Sequence, residues 1–171
     1  MGYTDVLELR RFGRKADVRR ASKAEGPDTG AAQLLAYLAS APLISAALII
    51  VAGGENAVFA AQFMSLYGAA MIVFFGGVRW GVAVMKEGGP TMRALLGAAL
   101  PLLAALPLFV PVAGVYWKFA AIMIVTALLL IDDLNATRRG SGAPHWYLAV
   151  RLPLTVLIEL AFLIAMVGMA R

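Results

Sequence analysis

The chain has 171 residues, of which 61% are hydrophobic and 15% charged, with 15 Lys and Arg against 10 Asp and Glu. Its mean hydropathy is +0.82, whereas a soluble domain has about 45–50% apolar and about 25% charged residues. This balance excludes an ordinary soluble domain and a disordered chain, and the lack of Cys excludes a disulfide scaffold, a thiolate metal site and thiol catalysis.

Residues 1–31 form a basic tail. It carries Arg10, Arg11, Arg14, Lys15, Arg19, Arg20 and Lys23. Tyr3, Val6, Leu7 and Phe12 stand among these charges, a pattern that fits a short helix on headgroups or a solvated tail. Asp5, Glu8, Asp17, Glu25 and Asp28 argue against a mitochondrial transit peptide, which is poor in acids.

A membrane helix needs about 20 mostly apolar residues to cross about 30 Å of hydrocarbon. Long apolar runs, the fourth broken by Lys118 and the fifth by Glu159, predict five: about 32–52, 58–80, 93–111, 114–134 and 148–169. The expected fold is therefore an all-α membrane protein with five transmembrane helices in one bundle and short loops. The fourth span contains Lys118, so it crosses only if that side chain snorkels outward beside Tyr116 and Trp117. Segments of alternating polarity, the mark of a transmembrane barrel, do not occur.

Charge sets the orientation. Besides the seven cations of the tail, Arg79, Lys86 and Arg93 flank the second connection, and Arg138, Arg139 and Arg151 flank the fourth. Thirteen of the fifteen cations fall on one side, leaving Lys118 and Arg171 on the other. The positive-inside rule then puts the N-terminus in the cytoplasm and the C-terminus in the periplasm. A bacterial inner membrane is the default reading, ahead of a mitochondrial one. The basic balance reflects this topology and attraction to anionic headgroups, not nucleic acid.

Polar residues at membrane depth are the main functional clue. Glu159 lies near the midplane of the fifth span, where an ionised carboxylate costs at least about 2.5 kcal/mol. It is expected to be protonated or hydrogen-bonded inside the bundle, with Thr126, Tyr67 and Ser45 at compatible depths. Arg151, Thr155 and Glu159 are spaced i, i+4, i+8 and read as one polar track. Asp132 and Asp133 end the fourth span, level with Arg79 and Arg151, which makes an ion-pair ring or the mouth of a cytoplasm-facing pocket. Gly76, Gly77 and Gly81 surround Arg79 and Trp80. Gly77 and Gly81 have the small-xxx-small spacing that lets helices approach closely. Pro42, Pro101 and Pro107 fall inside spans and free the carbonyls of Leu38, Gly97 and Leu103. His145, the single histidine, reads as an interfacial loop residue.

The block Tyr67-Gly-Ala-Ala-Met-Ile-Val-Phe-Phe-Gly-Gly-Val-Arg-Trp-Gly81 resembles the signature of a small membrane-protein family that includes transmembrane protein 69 and many bacterial relatives. A second matching block is Pro144-His-Trp-Tyr-Leu-Ala-Val-Arg-Leu-Pro-Leu-Thr155. The resemblance covers about 30–170. It implies a multi-span inner-membrane protein with a domain of unknown function, and brings no catalytic residues.

No nucleotide-binding, zinc-protease or serine-hydrolase motif occurs, so no catalytic residue, metal site or cofactor is expected. The sequence favours a structural or assembly partner in a membrane complex, whose partners would be lipid, other membrane proteins or a second copy. The alternative is a small-molecule binder or proton-linked carrier that uses Arg151, Thr155 and Glu159.

Overall fold

Apolar runs of this length have one economical solution in hydrocarbon, the helix, because it satisfies every backbone polar group within itself. The computed structural model describes residues 29–111, 114–140 and 143–171, apart from the side chain of His145. The surface-helix reading at Tyr3–Phe12 lies outside them. The described chain forms α1 (Thr29–Ala52), α2 (Asn56–Val84), α3 (Met92–Phe109), α4 (Val115–Arg138) and α5 (His145–Met169). All five are long and apolar enough to cross a membrane, and no strand occurs among the described residues.

α2 is the axis of the bundle. It touches each of the other four helices, and 50% of its most apolar stretch is buried, against 22–33% in the others. At 29 residues it is about 43 Å long, so it overshoots the hydrocarbon layer at its ends. The core around it contains Leu43, Met64, Ile72, Phe75, Ile122 and Phe162. Phe119 meets Phe162 edge to face, with centroids 4.9 Å apart. α1 packs mainly on α5 and α2, and α3 mainly on α2. α3 and α4 barely touch.

Three helix ends differ from the sequence reading. α2 runs past Trp80 and through Gly81 to Val84, ending just short of the Gly88-Gly89-Pro90 cluster. α4 continues through the aspartates to Arg138, and α5 begins at His145, so that residue opens a helix instead of lying in a loop. Pro144 explains this start, since a proline tolerates the unpaired first turn of a helix. The α1–α2 turn needs glycine: Gly53 and Gly54 have φ of +75° and +86°, which side-chain-bearing residues rarely adopt.

Lys118 does not snorkel outward. Only 5% of it is exposed, and its Nζ donates to the Val110 carbonyl at 2.6 Å. Val110 caps α3, and the last carbonyls of a helix are unpaired and negative. The ammonium therefore finds an acceptor nearer than water and ties the start of α4 to the end of α3.

The packing glycines also differ. A Cβ on Gly77 or Gly81 would meet nothing within 4 Å, so neither mediates the close approach that their spacing implied. Gly76 does: its Cβ would lie 3.0 Å from the Ala98 carbonyl and 3.2 Å from Pro101. The spacing rule fails because it does not say which face of α2 the neighbour takes. The tightest sites are Gly68, where a Cβ would meet Phe162 at 2.6 Å, and Gly168, where it would meet Val51 at 2.9 Å. Gly168→Ala also presses on the Val51 backbone, which cannot swing away. It should cost about 1–3 kcal/mol by overpacking. Gly77→Ala should leave thermal unfolding in detergent unchanged or slightly raised.

Candidate functional site

The charged residues of α2, α4 and α5 converge at the end of the bundle that carries the α2–α3 and α4–α5 connections. Arg79 grips both aspartates: Nη1 is 2.9 Å from Asp132 Oδ2 and Nη2 is 2.8 Å from Asp133 Oδ1. It also donates from Nε to Asp133 Oδ1 at 2.9 Å and from Nη2 to the Leu129 carbonyl at 2.9 Å. Arg151 donates from Nε to Asp133 Oδ2 at 3.1 Å and from Nη1 to Thr155 at 2.8 Å. Its guanidinium carbon lies 3.4 Å from the centre of the Phe75 ring, a cation–π contact in a desolvated place. Arg151 Nη2 is buried without a hydrogen-bond partner.

The two aspartates differ. The Asp133 side chain is 13% exposed and shared by two arginines, whereas that of Asp132 is 69% exposed and held by one. Asp133 is thus the fixed member and Asp132 the exchangeable one.

Beside this network opens a cavity of about 410 Å³ between α2, α3 and α4. Its charged lining is Arg79, Lys86, Arg93, Arg139, Asp132 and Asp133, and Thr91, Thr137 and Tyr147 add hydroxyls. Its apolar wall is of modest side chains, among them Val82, Ala94, Gly97 and Ala98. Here α3 presents its N-terminus: Thr91 caps it by accepting from the Ala94 N–H at 3.3 Å, and the first turn adds positive potential. The lining joins residues from two connections that are remote in sequence. Lys86, Arg93 and Arg139 count toward orientation in the sequence, but nothing in their spacing reveals a common cavity.

Glu159 forms a separate polar centre deeper in the bundle. Thr126 Oγ1 lies 2.5 Å from Glu159 Oε1 and 2.8 Å from the Ile122 carbonyl. Of the residues at matching depth, Tyr67 instead donates to the Ala39 carbonyl at 2.7 Å. That carbonyl is one residue beyond the one that Pro42 frees. Ser45 is exposed on the outer surface. The expected track is interrupted: Thr155 donates back to the Arg151 carbonyl at 2.9 Å, and no described hydrogen bond joins Thr155 to Glu159. Trp80 is 48% exposed and takes no part in the ion-pair network. Among the described residues no cluster of His, Asp and Glu could hold a metal.

A family model for a protein of unknown function, DUF3429, matches residues 29–167. The chain belongs to this family. In this DUF3429 chain the match includes all the ion-pair residues, Glu159 and most of the five helices. No curated protein and no solved structure matches the chain.

Two outcomes follow from the pairing. Asp133→Asn leaves the buried Arg151 without its carboxylate and Arg79 with Asp132 alone, and should cost about 3–5 kcal/mol of stability. Asp132→Asn, at a mostly exposed pair, should cost less than about 1 kcal/mol. Chemical unfolding in mixed micelles would separate them. At the deeper centre, Thr126→Val leaves a carboxyl without its partner and should destabilise by about 1–3 kcal/mol. Adding Glu159→Leu should recover much of that loss, while Glu159→Gln alone should be well tolerated, because an amide both donates and accepts.

Proposed function

We propose that this chain is a membrane-embedded binding protein for a small anionic group, not a catalyst. The observation that carries this reading is the cavity of about 410 Å³ with Lys86, Arg93 and Arg139 in its wall. Its volume falls in the range of ligand sites, about 300–1,000 Å³. A purely structural role in a complex requires packed faces and polar pairs, and these exist elsewhere in the bundle. It does not require an open cavity with cations drawn from two connections.

The site sits at the basic end, which the positive-inside bias assigns to the cytoplasmic face of a bacterial inner membrane. There a ligand reaches the cavity from the headgroup layer or from the cytosol. Cations held at this level also attract anionic lipid, by about 1 kcal/mol each.

Native mass spectrometry of the full chain from mild detergent tests the reading. The expected result is a small anionic or lipid adduct that is lost in the Lys86→Ala/Arg93→Ala/Arg139→Ala variant. Stoichiometric co-purifying proteins, with no adduct and no effect of the triple variant, would replace it with the assembly role.

A further inference from the structure

Resting on the anion-binding reading, we infer that the ligand is an amphiphile ending in a phosphoryl group that carries two or more negative charges, as a phosphomonoester or diphosphate does. The charge count points there. Asp132 and Asp133 are matched by Arg79 and Arg151. Three lining cations, Lys86, Arg93 and Arg139, are then left with no ion-pair partner among the described residues. Glu87 adjoins Lys86 in the α2–α3 connection but does not line the cavity. A single carboxylate would leave much of this charge unanswered, and a zwitterionic headgroup brings an ammonium into a cationic wall. A multiply charged phosphoryl group offers three or more acceptor oxygens to guanidinium and ammonium donors, which bind such groups strongly.

The positive first turn of α3 faces the same space, with Thr91 and Arg93 both in the lining. Helix N-termini with free N–H groups favour phosphoryl oxygens. Arg79 forms the floor. Its Nη1 is held by the 69%-exposed Asp132, so an incoming phosphoryl oxygen can take that donor while Asp133 keeps the rest of the guanidinium in place.

The apolar half of the wall indicates the tail. Val78, Val82, Ala94, Gly97 and Ala98 line it beside the charges, and α3 and α4 barely touch. Slender residues beside a loose helix–helix contact leave room for one hydrocarbon chain directed toward the lipid. A free phosphate would satisfy the cations and leave this wall wet.

Binding to the purified full chain in dodecyl maltoside, followed by calorimetry, distinguishes the sources. The probes are dodecyl phosphate, dodecylphosphocholine, inorganic phosphate and pyrophosphate. Dodecyl phosphate should bind at least tenfold more tightly than each of the others. Arg93→Ala, on the exposed rim, should weaken it about tenfold. Ala94→Leu, which fills the apolar wall and keeps every charge, should weaken it at least fivefold with the thermal midpoint unchanged. Equal binding of dodecylphosphocholine would overturn the charge argument, and equal binding of phosphate or pyrophosphate would overturn the amphiphile. If dodecyl phosphate fails while the native adduct still depends on Lys86, Arg93 and Arg139, this inference falls and the anion-binding function stands. If the adduct is absent too, both fall.

Discussion

Asp133 answers two guanidinium groups from two other helices, and the basic end of the bundle is arranged around that carboxylate. Arg79 comes from α2 and Arg151 from α5, while Asp133 itself stands on α4. A charge at the edge of hydrocarbon must find a partner or reach water, and only 1% of Arg151 is exposed. The α2, α4 and α5 helices therefore cannot slide along one another without uncovering a cation. The cation–π contact with Phe75 fixes the rotation of α5 as the ion pairs fix its height. The core contacts of Phe75, Ile122 and Phe162 then supply dispersion and fit, without directing the register.

The cavity follows from the same arrangement. Because Arg79 and Arg151 take up both carboxylates, Lys86, Arg93 and Arg139 have no ion-pair partner among the described residues and face open space. α3 stands outside the ion-pair network. It is held to α2 by packing along its length, closest at Gly76. A helix outside the ion-pair network thus forms one wall of the space where a ligand would sit.

Much of the fold was legible because long apolar runs in a membrane have few alternatives: five predominantly apolar stretches became five helices. The pairing of Arg79 with Asp132 and Asp133 could be anticipated from depth alone, since residues at one level of an antiparallel bundle meet if their faces agree. Face was the quantity the sequence did not carry. It is why Gly76 packs and Gly77 does not, and why Tyr67 and Ser45 stand apart from Glu159. Lys118 was misread for another reason. Its acceptor, the Val110 carbonyl, becomes available because α3 ends at Phe109, where Pro111 pushes Val110 into an extended conformation, a stop that the span drawn to residue 111 passed over.

That lysine has a mechanical consequence. The bond from Lys118 to Val110 pins α3 to α4 at one extremity, and the two helices scarcely meet along the rest of their length. The pair resembles tweezers joined at the base, with the cavity between the tips. α3 has 18 residues, a lever of about 27 Å, so tilting it by about 5° about the pin carries Met92 and its neighbours through about 2 Å. The jaw width at Arg93 is consequently set by how α3 seats along α2, while the Lys118–Val110 bond fixes only the far end of the lever.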